Sequence, residues 1–213
     1  MSQIVVVDYG MGNLRSVARA IEHVAENQNV IVSSDAADIA AADRVVFPGQ
    51  GAARDCMREL EQRNLTEVVL TAAREKPFLG ICMGMQVLLA HSEENNGVDC
   101  MGLYPGEVRF FGTQLKNARG EKLKIPHMGW NTVKHRIDHP LWQGIEDNSR
   151  FYFVHSYYIE PDDKSLIAAT TDYGIEFVSA IARDNVFAIQ CHPEKSARDG
   201  LQLLKNFTQW SGA

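Results

Sequence analysis

Apolar residues in the first half of this chain fall into short, closed runs separated by glycine-containing turns. Ile4-Val5-Val6-Val7 is β-branched and apolar throughout, the pattern of a strand covered on both faces. After Asp8-Tyr9-Gly10-Met11-Gly12-Asn13 the spacing changes. Leu14, Val17, Ala18, Ile21 and Val24 recur with helical period, and Asn13 is placed to cap that helix. Asn29-Val30-Ile31-Val32 and Arg44-Val45-Val46-Phe47 predict two more strands on either side of an alanine-rich segment that suits a short helix. Pro48-Gly49-Gln50-Gly51 closes the third strand. Helical spacing resumes through Leu60 and again from Leu65 to Glu75, and Phe78-Leu79-Gly80-Ile81 predicts a fourth strand.

From Gly97 to Arg150 the periodicity weakens, which predicts loops and short antiparallel strands. Strands return at Phe151–Val154, around Gly174–Ile181 and at Val186–Gln190, and a last helix carries Leu201, Leu204 and Phe207. The alternation predicts an α/β fold: an open, mostly parallel sheet flanked by helices, with some antiparallel strands in the second half. No repeat or linker divides it, so one domain over 1–213 is expected. In such a sheet, reactive groups collect beyond the carboxyl ends of the strands, where this reading places Gly10, Gly49, Cys82, His155 and His192.

Composition narrows the partners. Of 213 residues, 45% are hydrophobic and 23% charged, as in ordinary globular proteins, and the net charge of −6 argues against a general nucleic-acid or membrane-surface binder. The cysteines at 56, 82, 100 and 191 contain no C-x-x-C pair, so neither a zinc site nor a redox dithiol is expected, and they read as reduced thiols of a cytoplasmic protein. No leader or membrane-spanning run is expected either.

Against that background Cys82 stands out. It follows the predicted fourth strand in Leu79-Gly80-Ile81-Cys82-Met83-Gly84-Met85-Gln86, with glycines two residues before and after it. An abrupt strand-to-helix elbow needs such small neighbours, because its backbone runs too close to flanking segments for a Cβ. A thiol lifted onto an elbow, at a helix start that favours the thiolate, is a nucleophile candidate rather than a packed core cysteine. The last strand ends in Gln190-Cys191-His192-Pro193-Glu194-Lys195-Ser196. His192 supplies a general base, and Glu194 a carboxylate to orient it, since residues i and i+2 of an extended chain share a face. His155 is the rival base, also at a strand end but without an adjacent carboxylate. For the oxyanion of acyl transfer, the Met83 amide and the Gly49-Gln50-Gly51 turn offer backbone donors.

These residues resemble those of a known family. G-I-C-M-G-M-Q at 80–86 with the distant H-P-E at 192–194 is similar to class I, triad-type glutamine amidotransferases, whose sheet is flavodoxin-like. Asp8–Leu14, Pro48–Gly51, His127-Met128-Gly129-Trp130-Asn131 and His192–Ser196 narrow the resemblance to the branch serving imidazole glycerol phosphate synthases, over essentially the whole chain. The resemblance implies hydrolysis of glutamine through a thioester on Cys82, with no metal or cofactor. It implies that Gln86 and the backbone of Ser156 and Tyr157 hold the glutamine backbone groups. It also implies a heterodimer, in which ammonia is transferred to a (β/α)₈ cyclase subunit. Lys195 and Trp130 are interface candidates; the plainer expectations are a solvated lysine at a helix start and a core indole. A binding protein without turnover is the competing class, and the glutaminases of anthranilate, aminodeoxychorismate or pyridoxal phosphate synthases are the competing branches.

Overall fold

A computed structural model describes residues 2–212; Met1 and Ala213, the ends of the expected 1–213 domain, lie outside the described residues. Strand β1 (Gln3–Val7) leads into α1 (Leu14–Val24), β2 (Asn29–Ser33), α2 (Ala36–Ala41), β3 (Arg44–Gly49), α3 (Ala53–Gln62), α4 (Thr66–Glu75) and β4 (Phe78–Cys82). A single helical turn, α5 (Met83–Gln86), follows Cys82, and then β5 (Leu89–Ser92), β6 (Val98–Asp99), β7 (Tyr104–Phe110), β8 (His127–Thr132) and β9 (Lys134–His135). The chain ends with β10 (Arg150–His155), β11 (Tyr157–Pro161), β12 (Ile167–Asp172), β13 (Glu176–Arg183), β14 (Val186–Ile189) and α6 (Ala197–Gln209).

The parallel frame runs β2-β1-β3-β4-β14, a flavodoxin-like order. Alternate side chains of these strands enter opposite layers. Val5, Val7 and Phe47 pack with residues of α2, α3 and α4, whereas Ile4, Val6 and Leu79 pack with those of α1 and α6. Both faces are thereby covered, which is why the strands are apolar without alternation.

Beyond β14 the sheet continues as β13-β11-β7-β5-β6, antiparallel except where β5 meets β7. The weakly periodic region holds more strand than its pattern suggests, because β7 and β8 are long and only half buried. β10 does not join the main sheet; it pairs with β8 as a separate antiparallel ribbon. His155 therefore does not extend the carboxyl edge of the parallel frame, contrary to expectation. Asn13 stands at the α1 N-cap, but its side chain makes no capping bond.

The elbow is the tightest place in the fold. Cys82 has φ 57° and ψ −112°, a conformation that costs a residue with a side chain about 1–3 kcal/mol. Its neighbours enforce it. A Cβ on Gly84 would lie 1.9 Å from the Phe47 carbonyl oxygen, and one on Gly80 would lie 2.9 Å from Ala188 Cβ and 3.0 Å from the Gly84 oxygen. Gly84→Ala is expected to destabilise the protein by about 3 kcal/mol in chemical denaturation, through overpacking. Gly102, at φ 65° with no atom within 4 Å of an added Cβ, is the comparison. Gly102→Ala pays only the backbone cost, about 1 kcal/mol.

Candidate active site

β14 delivers its terminal residues beside the elbow because it lies next to β4 in register, with Ile189 opposite Ile81. Beyond it the backbone is not extended at Glu194: Pro193–Lys195 form a 3₁₀ turn, with Pro193 in its first position. That turn, rather than a shared strand face, brings Glu194 Oε1 to 2.9 Å from His192 Nδ1. The expected pairing is present for a different geometric reason. β10 clamps the segment. The His192 amide donates to the Tyr152 carbonyl at 2.9 Å, the Tyr152 amide to Ser196 Oγ at 2.9 Å, and Ser196 Oγ to the His192 carbonyl at 2.6 Å.

Both side chains of the pair are buried, His192 at 2% and Glu194 at 1% exposure. Burial opposes charge on the imidazole, but the adjacent Cys82 sulfur and Glu194 carboxylate together outweigh it and raise His192 to about 10. His192 Nε2 has no conventional hydrogen-bond partner among the described residues and lies beside that sulfur. The raised imidazole therefore faces the Cys82 sulfur as its proton partner. α5, one turn long, adds little dipole at the sulfur. Gln190 Nε2 also reaches the sulfur, at 3.6 Å.

His155 does not share this character. It is buried in a ring of aromatic side chains, with Nδ1 at 2.7 Å from the Tyr157 carbonyl and Nε2 at 2.9 Å from His127 Nδ1. Burial lowers it to about 3 and His127 to about 4, so both rings are neutral. With both nitrogens engaged, His155 is not a free base.

Cys82, His192 and the expected substrate residues line one cavity of about 460 Å³. Gln86 is buried in its wall and donates from Nε2 to the Tyr157 carbonyl (3.1 Å) and to Gln190 Oε1 (2.9 Å), which leaves its Oε1 as acceptor. The Tyr157 carbonyl is thereby saturated by Gln86 and His155. The Ser156 carbonyl accepts from Phe111, so Ser156 retains its amide N–H and hydroxyl for a ligand. Gly49 pairs in register with Cys82, which carries Gln50 and Gly51 past the thiol. The Tyr9 hydroxyl donates to the Pro48 carbonyl at 2.9 Å, and Glu94 Oε2 accepts from Ala53 N at 2.7 Å, tying down both ends of that turn. Met83 opens α5, where its N–H has no intrahelical acceptor.

Gln190, Glu94 and the His127–His155 contact escaped sequence reasoning. Only Gln190 left a signal: an amide closing an otherwise apolar strand end, where a buried polar group needs partners. Trp130 is 44% exposed, so it is not a core indole. It meets Tyr152 edge-on at 6.3 Å, and the exposed Lys195 places Nζ 5.8 Å from the centroid of the same ring. Met128, 62% exposed, extends this patch along β8. Among the described residues no helix is long and apolar enough to cross a membrane, and no cluster of His, Cys, Asp and Glu suits a metal.

Comparisons with known proteins identify the family. The imidazole glycerol phosphate synthase subunit HisH of Aromatoleum aromaticum is 60% identical over 212 residues, covering 99% of this chain and 100% of that protein. The corresponding subunit HisH 1 of Pseudomonas aeruginosa is 57% identical, covering 100% and 99%. Among solved structures, PurLQS from Thermotoga maritima superposes with TM-score 0.69 at 19% identity, covering 98% of this chain and 98% of that one, a likeness of fold. The family model for glutamine amidotransferase class-I matches residues 5–210, a span that takes in the elbow, the Gly49–Gly51 turn and the buried His192–Glu194 pair. The chain belongs to the class-I glutamine amidotransferases.

Proposed function

We propose that this chain is the glutaminase subunit of an imidazole glycerol phosphate synthase, acting in histidine biosynthesis. The observation that carries the chemistry is the buried His192–Glu194 pair, whose imidazole lines a cavity together with Cys82. The relatives, named as subunits of that synthase, support the choice of branch. Cys82 gives its thiol proton to His192 and attacks the side-chain amide carbon of glutamine, and the carbonyl electrons move onto oxygen. Amides of the Gly49–Gly51 turn and of Met83 receive that oxyanion. His192 gives its proton to the departing nitrogen, the C–N bond breaks, and ammonia leaves behind a thioester. His192 then takes a proton from water, whose oxygen displaces the sulfur and yields glutamate, with Glu194 holding the imidazolium throughout.

Gln86 Oε1 and the Ser156 amide and hydroxyl are the groups left to hold the glutamine backbone. The ammonia passes to a (β/α)₈ cyclase subunit, which makes imidazole glycerol phosphate and an aminoimidazole carboxamide ribotide. Lys195, Tyr152, Trp130 and Met128 offer a mixed cationic and apolar surface beside the cavity on which such a subunit docks.

Glutamate release measured with and without the cyclase and its nucleotide tests chemistry and partner together. The expectation is low turnover for the chain alone and a large rise on addition of both. Full activity in isolation contradicts a partner-gated site. With the partner present, Cys82→Ala is expected to lower glutamate release by about 10⁴-fold or more while ammonia-dependent synthesis continues.

Cysteine reactivity provides a separate measure. Burial pushes Cys56 and Cys100 up to about 12 and raises Cys191, while only Cys82 faces a raised imidazolium. Iodoacetamide at pH 7.5 is expected to label Cys82 about tenfold or more faster than the other three, read by peptide mapping. His192→Ala removes that preference. Comparable labelling of Cys100 in the unaltered protein speaks against the assigned nucleophile.

A further inference from the structure

A continuous series of hydrogen bonds runs from β8 to the Cys82 sulfur, and its direction is determined at every step. At the β8 end, Asn131 Oδ1 accepts from the Thr132 amide at 2.8 Å and Nδ2 donates to the Asp172 carbonyl at 2.8 Å, which orients the side-chain amide. Nδ2 also meets His127 Nε2 at 3.2 Å, so that nitrogen is the acceptor and Nδ1 carries the proton. His127 Nδ1 donates to His155 Nε2, and His155 Nδ1 donates to the Tyr157 carbonyl. A carbonyl only accepts, so the two neutral rings have one compatible arrangement of protons. On the other side of that carbonyl, Gln86 Nε2 donates to it and to Gln190 Oε1, which turns Gln190 Nε2 onto the sulfur. Gln190 is fully buried, and the triad chemistry does not use it.

We propose that Asn131, His127 and His155 are positioning residues for the nucleophile: their one-way chain sets the Tyr157 carbonyl, through it the Gln86 amide, and through Gln86 the Gln190 N–H that meets Cys82. The proposal rests on Cys82 being the nucleophile, as read above. His127 is stacked on Tyr173 at 4.0 Å and ringed by Phe111, Phe153 and Phe177, so its orientation is rigid. The Asp172 carboxylate turns to the Gly174 amide, and His192 is the other titratable group acting on His155.

Asn131→Asp tests the direction of the chain with one atom exchanged. A carboxylate at this position accepts where the amide donated. With both rings neutral, His127 must then point its proton at residue 131 and its lone pair at His155. Only an added proton on His127 restores donation toward Tyr157. The readouts are the rate of Cys82 alkylation by iodoacetamide in the full chain, and glutamate release with cyclase and nucleotide present.

For Asn131→Asp both rates are expected to fall about tenfold at pH 8, relative to the unaltered protein at the same pH, and to return to within about twofold of it at pH 6. Asn131→Ala loses a donor without reversing the chain and is expected to show a smaller deficit that is equal at the two pH values. Gln190→Leu, which removes the last donor, is expected to cost about tenfold at both. Asn131→Asp behaving like Asn131→Ala at both pH values overturns the proposal, since a merely structural asparagine predicts that result. The alkylation pattern appearing in a protein that never releases glutamate supports the positioning chain and removes the substrate reading instead.

Discussion

The close approach of β3 to the turn after β4 governs this molecule. With the Phe47 carbonyl pressed against Gly84, the chain leaving β4 has no room to continue straight or to begin its helix gradually. It reverses at one residue, and the strain of that reversal falls on Cys82. The same contact sets the rest of the site. Gly49 stands opposite Cys82 because β3 and β4 are in register to their last residues, and a Cβ on Gly49 would fall 2.5 Å from the Tyr9 hydroxyl. The elbow, the Gly49–Gly51 turn and the tyrosine that steadies Pro48 are one packed unit.

Around that unit three histidines are sorted by their partners. His192 is buried between the Cys82 sulfur and the Glu194 carboxylate and is raised; His155 and His127 are buried beside rings, an amide and a carbonyl and stay neutral. Desolvation acts on all three alike. What differs is whether a carboxylate or a sulfur stands within hydrogen-bond reach. The site thus holds one raised imidazole and two neutral ones at close quarters.

The βα alternation, the covered strands and the elbow were legible because each depends on neighbours in sequence: uniform Ile and Val runs, helical spacing from Leu14 to Val24, and glycines framing Cys82. The contact between His192 and Glu194 was legible but its geometry was not, since Pro193 starts a turn where an extended strand was expected. The β8–β10 ribbon was not legible. Its register is fixed by contacts between residues far apart in the chain, and β8 carries only a short alternation of buried and exposed positions. His155 read as a base for the same reason: its neutrality comes from His127, 28 residues away, and from rings supplied by other strands. Gln190 left a signal as an amide at an apolar strand end, but its partners, Gln86 and Cys82, lie far away in sequence.

The positive φ at Cys82 has an evolutionary side. It is a conformation that glycine adopts freely, and glycines at 80 and 84 already flank it. The backbone at this point would be more comfortable with no side chain at all, so the inert version of the protein is the more relaxed one. Folding stability therefore exerts no pressure to keep the thiol and, left to itself, favours its loss. The sulfur stands in a place the backbone would rather leave empty.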